Sequence, residues 1–183
     1  MPDMLKLYKE SIAPAMKEKR GYANPMEIPK LSKIIISTGI GSAFDKDAFA
    51  EAKKNITMIT GQAAVIVKTK KDISNFKLRK GMPVGVIVTL RNNRMFEFLD
   101  RLVHNVLPQV RDFRGINPKG FDGRGNYNMG MTDISVFTEI DLDKLKRPMG
   151  INICMVTTAK TDDEARDLLT LFEMPFAKES GSK

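Results

Sequence analysis

The chain has little of what builds covalently or metal-stapled folds: one cysteine and one histidine in 183 residues. A single cysteine rules out a disulfide framework, and one Cys with one His cannot complete a Cys/His zinc site. Long apolar runs are missing too, the longest falling far short of the roughly 20 residues that cross a bilayer. The N-terminal MPDMLKLYKE is charged throughout and lacks the apolar stretch of a signal peptide. Acidic charge is the scarcer sign, with 22 Asp and Glu against 30 Lys and Arg, a net charge of +8 and a pI near 9.6. These features point to a soluble, intracellular protein with an acidic partner, nucleic acid first and an anionic membrane second. A membrane surface would call for a strongly basic amphipathic helix, and no segment has that pattern.

Hydrophobic residues make up 42% of the chain, which excludes wholesale disorder. The length suits one domain, with 1–176 as a single folded body and 177–183 as a polar, disordered tail. Met4, Tyr8, Ile12 and Met16 at fourfold spacing predict a helix over 3–20, kinked at Pro14. A loop over 21–29, punctuated by Pro25 and Pro29, leads to a strand at 33–38, KIIIST. A helix over 45–60 then carries Phe49, Ala52, Ile56 and Ile59 on one side and ends at Gly61.

Gly39 and Gly41 before that helix invite a dinucleotide-binding reading. Phe44 occupies the third glycine position, however, and no acidic ribose ligand follows a second strand at the right distance. A tight turn with close backbone approach accounts for the glycines better. Strands are predicted over 62–68 and 84–91, then a helix over 94–107 stopped by Pro108. Two more strands, 134–140 and 150–158, are joined by the charged turn 141–147. Thr161 and Glu164 form a capping box for a last helix that buries Leu168, Leu169 and Phe172 and ends at Pro175. The order predicts an α+β fold: a largely antiparallel sheet of about five strands, helices packed on one face and the other face open.

The most informative stretch is 68–91, KTKKDISNFKLRKGMPVGVIVTLR. Lys68, Lys70, Lys71, Lys77, Arg79 and Lys80 stand against one acid, Asp72, with Phe76 among them. Val84, Val86, Val88 and Leu90 then alternate with Gly85, Ile87, Thr89 and Arg91, the pattern of a strand with one face on a core. A charge run is most often a solvated face. Here the near-absence of acid and the aromatic side chain favour a loop that presents cations to phosphates.

A second basic and aromatic stretch supports this. Residues 111–130, RDFRGINPKGFDGRGNYNMG, hold five of the thirteen glycines along with Arg111, Arg114, Lys119 and Arg124. So long a segment without helix or strand pattern predicts an ordered, projecting loop. Lys33, Ser37, Gln62, Lys68, Thr89, Arg91, Asn152 and Thr158 fall opposite the aliphatic rows of the strands, a polar and partly basic face.

Catalysis has little to stand on. His104 has no nucleophile in a triad arrangement and is expected on a surface or between helices. Cys154 alternates within a strand and is expected to pack as a small side chain. Asp141 and Asp143 lack the spacing of a calcium loop, and the twelve methionines are scattered as gap-fillers. No cofactor or metal is expected. RNA is favoured over duplex DNA because helix-turn-helix, zinc-finger and basic-zipper patterns are absent. The alternative is a small-molecule-binding or catalytic α+β domain, resting on the glycine turn and His104.

GQAAVIVKTKKDISNFKLRKGMPVGVIVTLRNNRMFEFLDRL, LPQVRDFRG, FDGRGNYNMG, FTEIDLDK, TTAKTDDEARDLL and FEMPF closely resemble the bacterial-type ribosomal protein family numbered five in the large subunit. That resemblance runs from the first helix to Phe176. It implies a non-enzymatic structural role: binding 5S rRNA through the open sheet face and fixing it in the central protuberance. The positions matching the family's rRNA-facing sheet residues are Gln62, Thr89 and Arg91, plus Ser37; Lys33, Lys68 and Arg94 complete the set of rRNA-binding candidates. Ser37 departs from the family's usual Asn and shortens the reach to a base. The basic loop resembles the family segment that approaches transfer RNA in the peptidyl site, which carries over to Lys70, Lys71, Phe76, Lys77 and Arg79. Asp72 stands where Ser is usual and should oppose a nearby phosphate.

The implied partners also include 23S rRNA, neighbouring 5S-binding large-subunit proteins and a small-subunit head protein met across the intersubunit gap. That last contact is expected around 111–114 and 133–146, and Arg111, Arg114, Lys119 and Arg124 are candidates for protein or RNA contact. The resemblance implies a monomer within the cytoplasmic ribosome and no membrane partner.

Overall fold

Pro14, expected to kink the first helix, is accommodated by a widened turn, and Pro108 stands in the last turn of the helical run it was expected to stop. The structure, a computed structural model, describes residues 2–41, 46–140 and 149–177. Helix α1 (Asp3–Leu7) runs through a π-helical turn (Tyr8–Ile12) into α2 (Ala13–Arg20), with Pro14 at the start of α2. Proline lacks an N–H and its ring crowds the carbonyl four residues back, so a wider turn before it relieves both problems. The same device recurs where α4 (Asn92–Arg101) continues as a π turn (Leu102–Val106) and a 3-10 turn (Leu107–Gln109) around Pro108.

Five strands form an open antiparallel sheet in the order β2-β3-β1-β5-β4, which with the helices makes an α+β fold. They are β1 (Leu31–Gly39), β2 (Val65–Lys68), β3 (Pro83–Leu90), β4 (Tyr127–Met131) and β5 (Ile151–Thr157). The remaining helices are α3 (Lys46–Thr60) and α5 (Asp162–Leu171). Asp45, at the predicted start of α3, and the charged turn 141–147 lie outside the described residues. No helix among the described residues is long and apolar enough to cross a membrane.

The chain divides into two compact units. Unit 1 comprises Met1–Ile34, Arg91–Met129 and Cys154–Lys183. Its core holds Met4, Ile12, Met16, Leu99, Leu102, Leu168 and Leu169. Tyr8 stacks on Phe172 with ring centroids 6.0 Å apart, and Phe96 lies 6.2 Å from the same ring. The capping box at α5 forms with a shift: Thr161 Oγ1 accepts from the Glu164 N–H at 3.4 Å, but the Glu164 carboxylate reaches the N–H of Lys160 at 3.0 Å.

Unit 2 comprises Ile35–Leu90 and Gly130–Ile153. Here α3 packs on β2 and β3, burying Phe49, Ala52, Ile56 and Ile59 as the helical spacing predicts. Each of the three larger side chains, Phe49, Ile56 and Ile59, contributes about 1.5–3 kcal/mol on removal from water. Gly61, in the left-handed region at φ +64°, closes the helix. Val86, Val88 and Leu90 of β3 are buried and Thr89 is half-buried, matching the predicted alternation.

Three expectations need correction. The strand predicted over 134–140 is absent: Ile134–Val136 is a 3-10 turn whose Asp133 carboxylate accepts from the Ser135 N–H at 2.8 Å. Ile134, Phe137 and Ile140 are buried at intervals of three, the period of a 3-10 turn rather than of a strand. The missing strand is instead β4, which emerges from the end of the glycine-rich stretch. Finally, the close approach expected at the glycine turn is not at Gly39, where a Cβ would meet nothing within 4 Å. It is at Gly85 in β3, where a Cβ would collide with the Thr38 carbonyl oxygen of β1.

Candidate nucleic-acid interface

The basic loop is an arm built from nested rungs in unit 2. At its base, the Thr69 N–H donates to Met82 O at 2.8 Å and Gly81 N–H to Thr69 O at 3.0 Å. The Thr69 hydroxyl donates to Arg79 O and accepts from the Met82 N–H at 3.1 Å. Further out, Asp72 Oδ1 accepts from the Lys80 N–H at 2.5 Å. Beyond that, Ile73 and Leu78 exchange both main-chain hydrogen bonds, at 2.9 and 3.0 Å. The tip is a 3-10 turn (Ser74–Phe76) closed by Lys77 in the left-handed region at φ +52°.

Lys70, Lys71, Lys77, Arg79 and Lys80 are all exposed or half-exposed on this frame, and Phe76 is 67% exposed at its tip. A large aromatic so exposed beside five cations suits stacking on a base within a phosphate-bearing partner. The sequence did not reveal Thr69 as the hub of the arm's base. Asp72, read from sequence only as a charge opposing phosphate, is part of the frame.

Unit 2 also places Gln62 against Thr89: the Gln62 side-chain amide donates to Thr89 O at 3.1 Å. Gln62, Thr89 and Ser37 are half-buried, and Lys68 is exposed at the end of the edge strand β2. Val65 pairs with Ile87 across β2 and β3, yet Val65 is 63% and Val67 41% exposed. Unit 2 therefore has polar groups and bare aliphatic rungs on one uncovered surface. The alternation marked the polar positions; the valines looked like core and nothing in their pattern said otherwise.

In unit 1, Lys33 is half-buried on β1, while Arg91 and Arg94 are exposed at the start of α4. Lys33 lies near Cys154, whose thiol is pushed up by burial and by Asp122, with Lys33 opposing. Arg111, Arg114, Lys119 and Arg124 lie along the irregular 111–126 segment of the same unit.

That segment is tied down rather than projecting along its length. Ile116 N–H donates to Pro175 O at 2.8 Å, and Ala177, expected in the tail, donates to Ile116 O at 2.9 Å. Tyr127 is fully buried, its hydroxyl donates to Asn117 O at 2.8 Å, and burial pushes its pKa up to about 12. Phe121 lies 4.8 Å from the Tyr127 ring and Arg166 sits over Phe121 at 5.6 Å. Two carboxylates organise the glycines. Asp162 accepts from the N–H groups of Gly123 and Gly125 at 3.0 and 2.8 Å, and Asp122 from those of Arg124 and Asn126 at 2.8 and 3.0 Å. The Asp-Gly-Arg-Gly-Asn spelling is the sequence signal for such a turn.

His104 is where the sequence suggested, exposed and bridging elements: Nδ1 is 2.9 Å from Asp100 Oδ1 and Nε2 is 3.1 Å from Glu173 Oε2. Among the described residues no group of three His, Cys, Asp or Glu side chains could hold a metal ion.

Comparison with known proteins places the chain in a family. The chain matches the family described as Ribosomal protein L5 over residues 24–79 and the ribosomal L5P family C-terminus over residues 83–176. It is 53% identical to the large ribosomal subunit protein uL5 of Alkaliphilus oremlandii over 94% of this chain and 97% of that protein. With the uL5 of Magnetococcus marinus the identity is 50%, over 100% of this chain and 99% of the relative. For Lactobacillus acidophilus it is 51%, over 93% and 96%. Fold, cationic surface and these matches together define a structural, non-enzymatic ribosomal protein. The chain belongs to the uL5 family of the large ribosomal subunit. Its place is in the ribosome, a ribonucleoprotein, and its process is translation.

Proposed function

We propose that the protein binds 5S rRNA and anchors it in the central protuberance, while its basic arm contacts transfer RNA in the peptidyl site. The observation that carries this reading is unit 2's uncovered surface, where half-buried Gln62 and Thr89 meet and from which an exposed cationic arm extends. Hydroxyl and amide groups suit ribose hydroxyls and base edges, whereas Lys68 and Ser37 add a cation and a short hydroxyl. Unit 1 contributes Lys33, Arg91 and Arg94 as phosphate partners on 5S or 23S rRNA. Lys70, Lys71, Phe76, Lys77 and Arg79 serve the transfer RNA. Backbone-directed cations suit that role, since phosphates carry no sequence information and many different transfer RNAs must be met.

Residues 1–176 act as one RNA-binding body, the protein works as a monomer within the ribosome, and neighbouring 5S-binding proteins complete the assembly. Arg111, Arg114, Lys119 and Arg124 supply protein or RNA contacts. The stretches 111–114 and 133–146 face a small-subunit head protein. Of the latter, 141–146 lie outside the described residues.

The test is binding of purified 5S rRNA to the Thr89→Ala and Arg91→Ala variants. Each is expected to weaken binding by roughly 1–3 kcal/mol, and unchanged affinity in both overturns the assignment of the sheet face. Lys70→Ala combined with Lys71→Ala leaves 5S binding near wild type and lowers peptidyl-site occupancy on ribosomes carrying the variant. Removing one cation that pairs with a phosphate flattens the log–log salt slope by roughly 0.7–0.9.

A further inference from the structure

Asp72 is the only acid between Lys68 and Arg91. A carboxylate in the middle of a phosphate-seeking arm looks like a defect. Its geometry says otherwise: Oδ1 accepts the Lys80 main-chain N–H at 2.5 Å, joining the two sides of the arm between the Thr69 base and the Ile73–Leu78 rung. Without Asp72 the Lys80 amide would turn to water, and the turn at Lys80 and Gly81, where Gly81 sits at φ +88°, would lose its outer clasp.

We infer that Asp72 is a positioning residue which holds the arm in its RNA-binding shape through its acceptor oxygen. This rests on the reading of the arm as the transfer RNA contact.

Two effects of the carboxylate oppose each other. Its charge repels a phosphate, a repulsion weakened by water because the side chain is exposed. Its hydrogen bond orders the main chain that carries Lys70, Lys71, Lys77, Arg79 and Lys80, and ordering done before binding is not charged against affinity. The ordering outweighs a repulsion that water screens, so the acid strengthens binding.

Asparagine separates the two effects, since it keeps the acceptor oxygen and removes the charge, whereas alanine removes both. Ribosomes assembled with wild-type, Asp72→Asn, Asp72→Ala and Lys70→Ala/Lys71→Ala proteins are compared for transfer RNA affinity at the peptidyl site. Amide exchange at Lys80 is measured on each free protein. Asp72→Ala is expected to raise the dissociation constant roughly two- to tenfold and to speed exchange at Lys80, with Asp72→Asn close to wild type in both. Thermal unfolding should be the same for all.

The inference is overturned if Asp72→Ala binds as well as or better than wild type while the double lysine variant is weakened. Equal loss in Asp72→Asn and Asp72→Ala also overturns it, because the shared acceptor would then be irrelevant. If the lysine variant itself loses nothing, the arm's assignment to transfer RNA fails, and this role for Asp72 fails with it. Exchange at Lys80 then reports only on the fold of the arm.

Discussion

The side-chain amide of Gln62 donates to the main-chain carbonyl of Thr89 at 3.1 Å, joining the second residue beyond α3 to β3. One end of the amide is thereby fixed by the protein, and the side chain has a set orientation before any ligand arrives. Gln62→Ala should cost about 0.5–1.5 kcal/mol of stability. Gln62→Glu should be worse, because a carboxylate facing the Thr89 carbonyl sets two acceptors against each other. Urea unfolding and 5S rRNA binding of the two variants check this: the Glu variant is expected to be the weaker in both.

Asp167 on α5 accepts from Lys19 Nζ at 2.8 Å and from Arg20 Nε and Nη2 at 2.9 and 2.5 Å. Partial burial works against its charge, but the bonds to Lys19 and Arg20 win and hold its carboxyl below the usual range. A depressed folded pKa gives stability that is present above the unfolded value of about 3.9 and is lost as pH falls through the folded value. Asp167→Asn should therefore destabilise the protein at neutral pH, by about 1 kcal/mol given the exposed partners, and the deficit should vanish in acid. Urea midpoints near neutrality and in stronger acid, at about pH 2, decide it.

His104 shows the opposite sign. Desolvation opposes its charge, yet hydrogen bonds to Glu173 and Asp100 raise its pKa. Its contribution is complete below the unfolded value of about 6.5 and is lost as pH rises through the folded value. His104→Gln should lower the unfolding midpoint in mild acid and leave it near wild type in mild alkali. A deficit that grows with pH would reverse the assignment.

Gly85→Ala tests the sheet itself. Its Cβ would meet the Thr38 carbonyl, a main-chain group that cannot rotate away, so β3 and β1 must part. A cost of about 1–3 kcal/mol is expected, read as a lower melting temperature. Gly39→Ala, where nothing lies within 4 Å of the added carbon, should be nearly neutral.

Much of the fold was legible in the sequence because burial follows spacing. The fourfold stripe of α1 and α2, the apolar side of α3 and the alternation of β3 all appear where their periods place them. The sequence misled where two periods overlap. Ile134, Val136 and Phe137 are β-formers by composition, but the Asp133 carboxylate claims the Ser135 amide and winds the chain at period three instead. In the candidate interface, the cations of the arm were plain from their density, since charge needs no geometry to be recognised. Thr69 and Asp72 were not, because their work is done through main-chain partners eight to thirteen residues away.

The two units take turns along the chain, with unit 1 begun by Met1–Ile34 and completed only by Cys154–Lys183. Unit 2 likewise waits for Gly130–Ile153. As the polypeptide leaves the machine that makes it, unit 2 cannot be finished before Gly130–Ile153 has emerged, nor unit 1 before Cys154–Lys183 has, and pairings between distant segments form slowly. The cationic arm, closed by bonds within 69–82, can take shape long before either. Newborn copies would thus carry one ordered, cationic element while the bodies on either side of it in the chain are still unfinished.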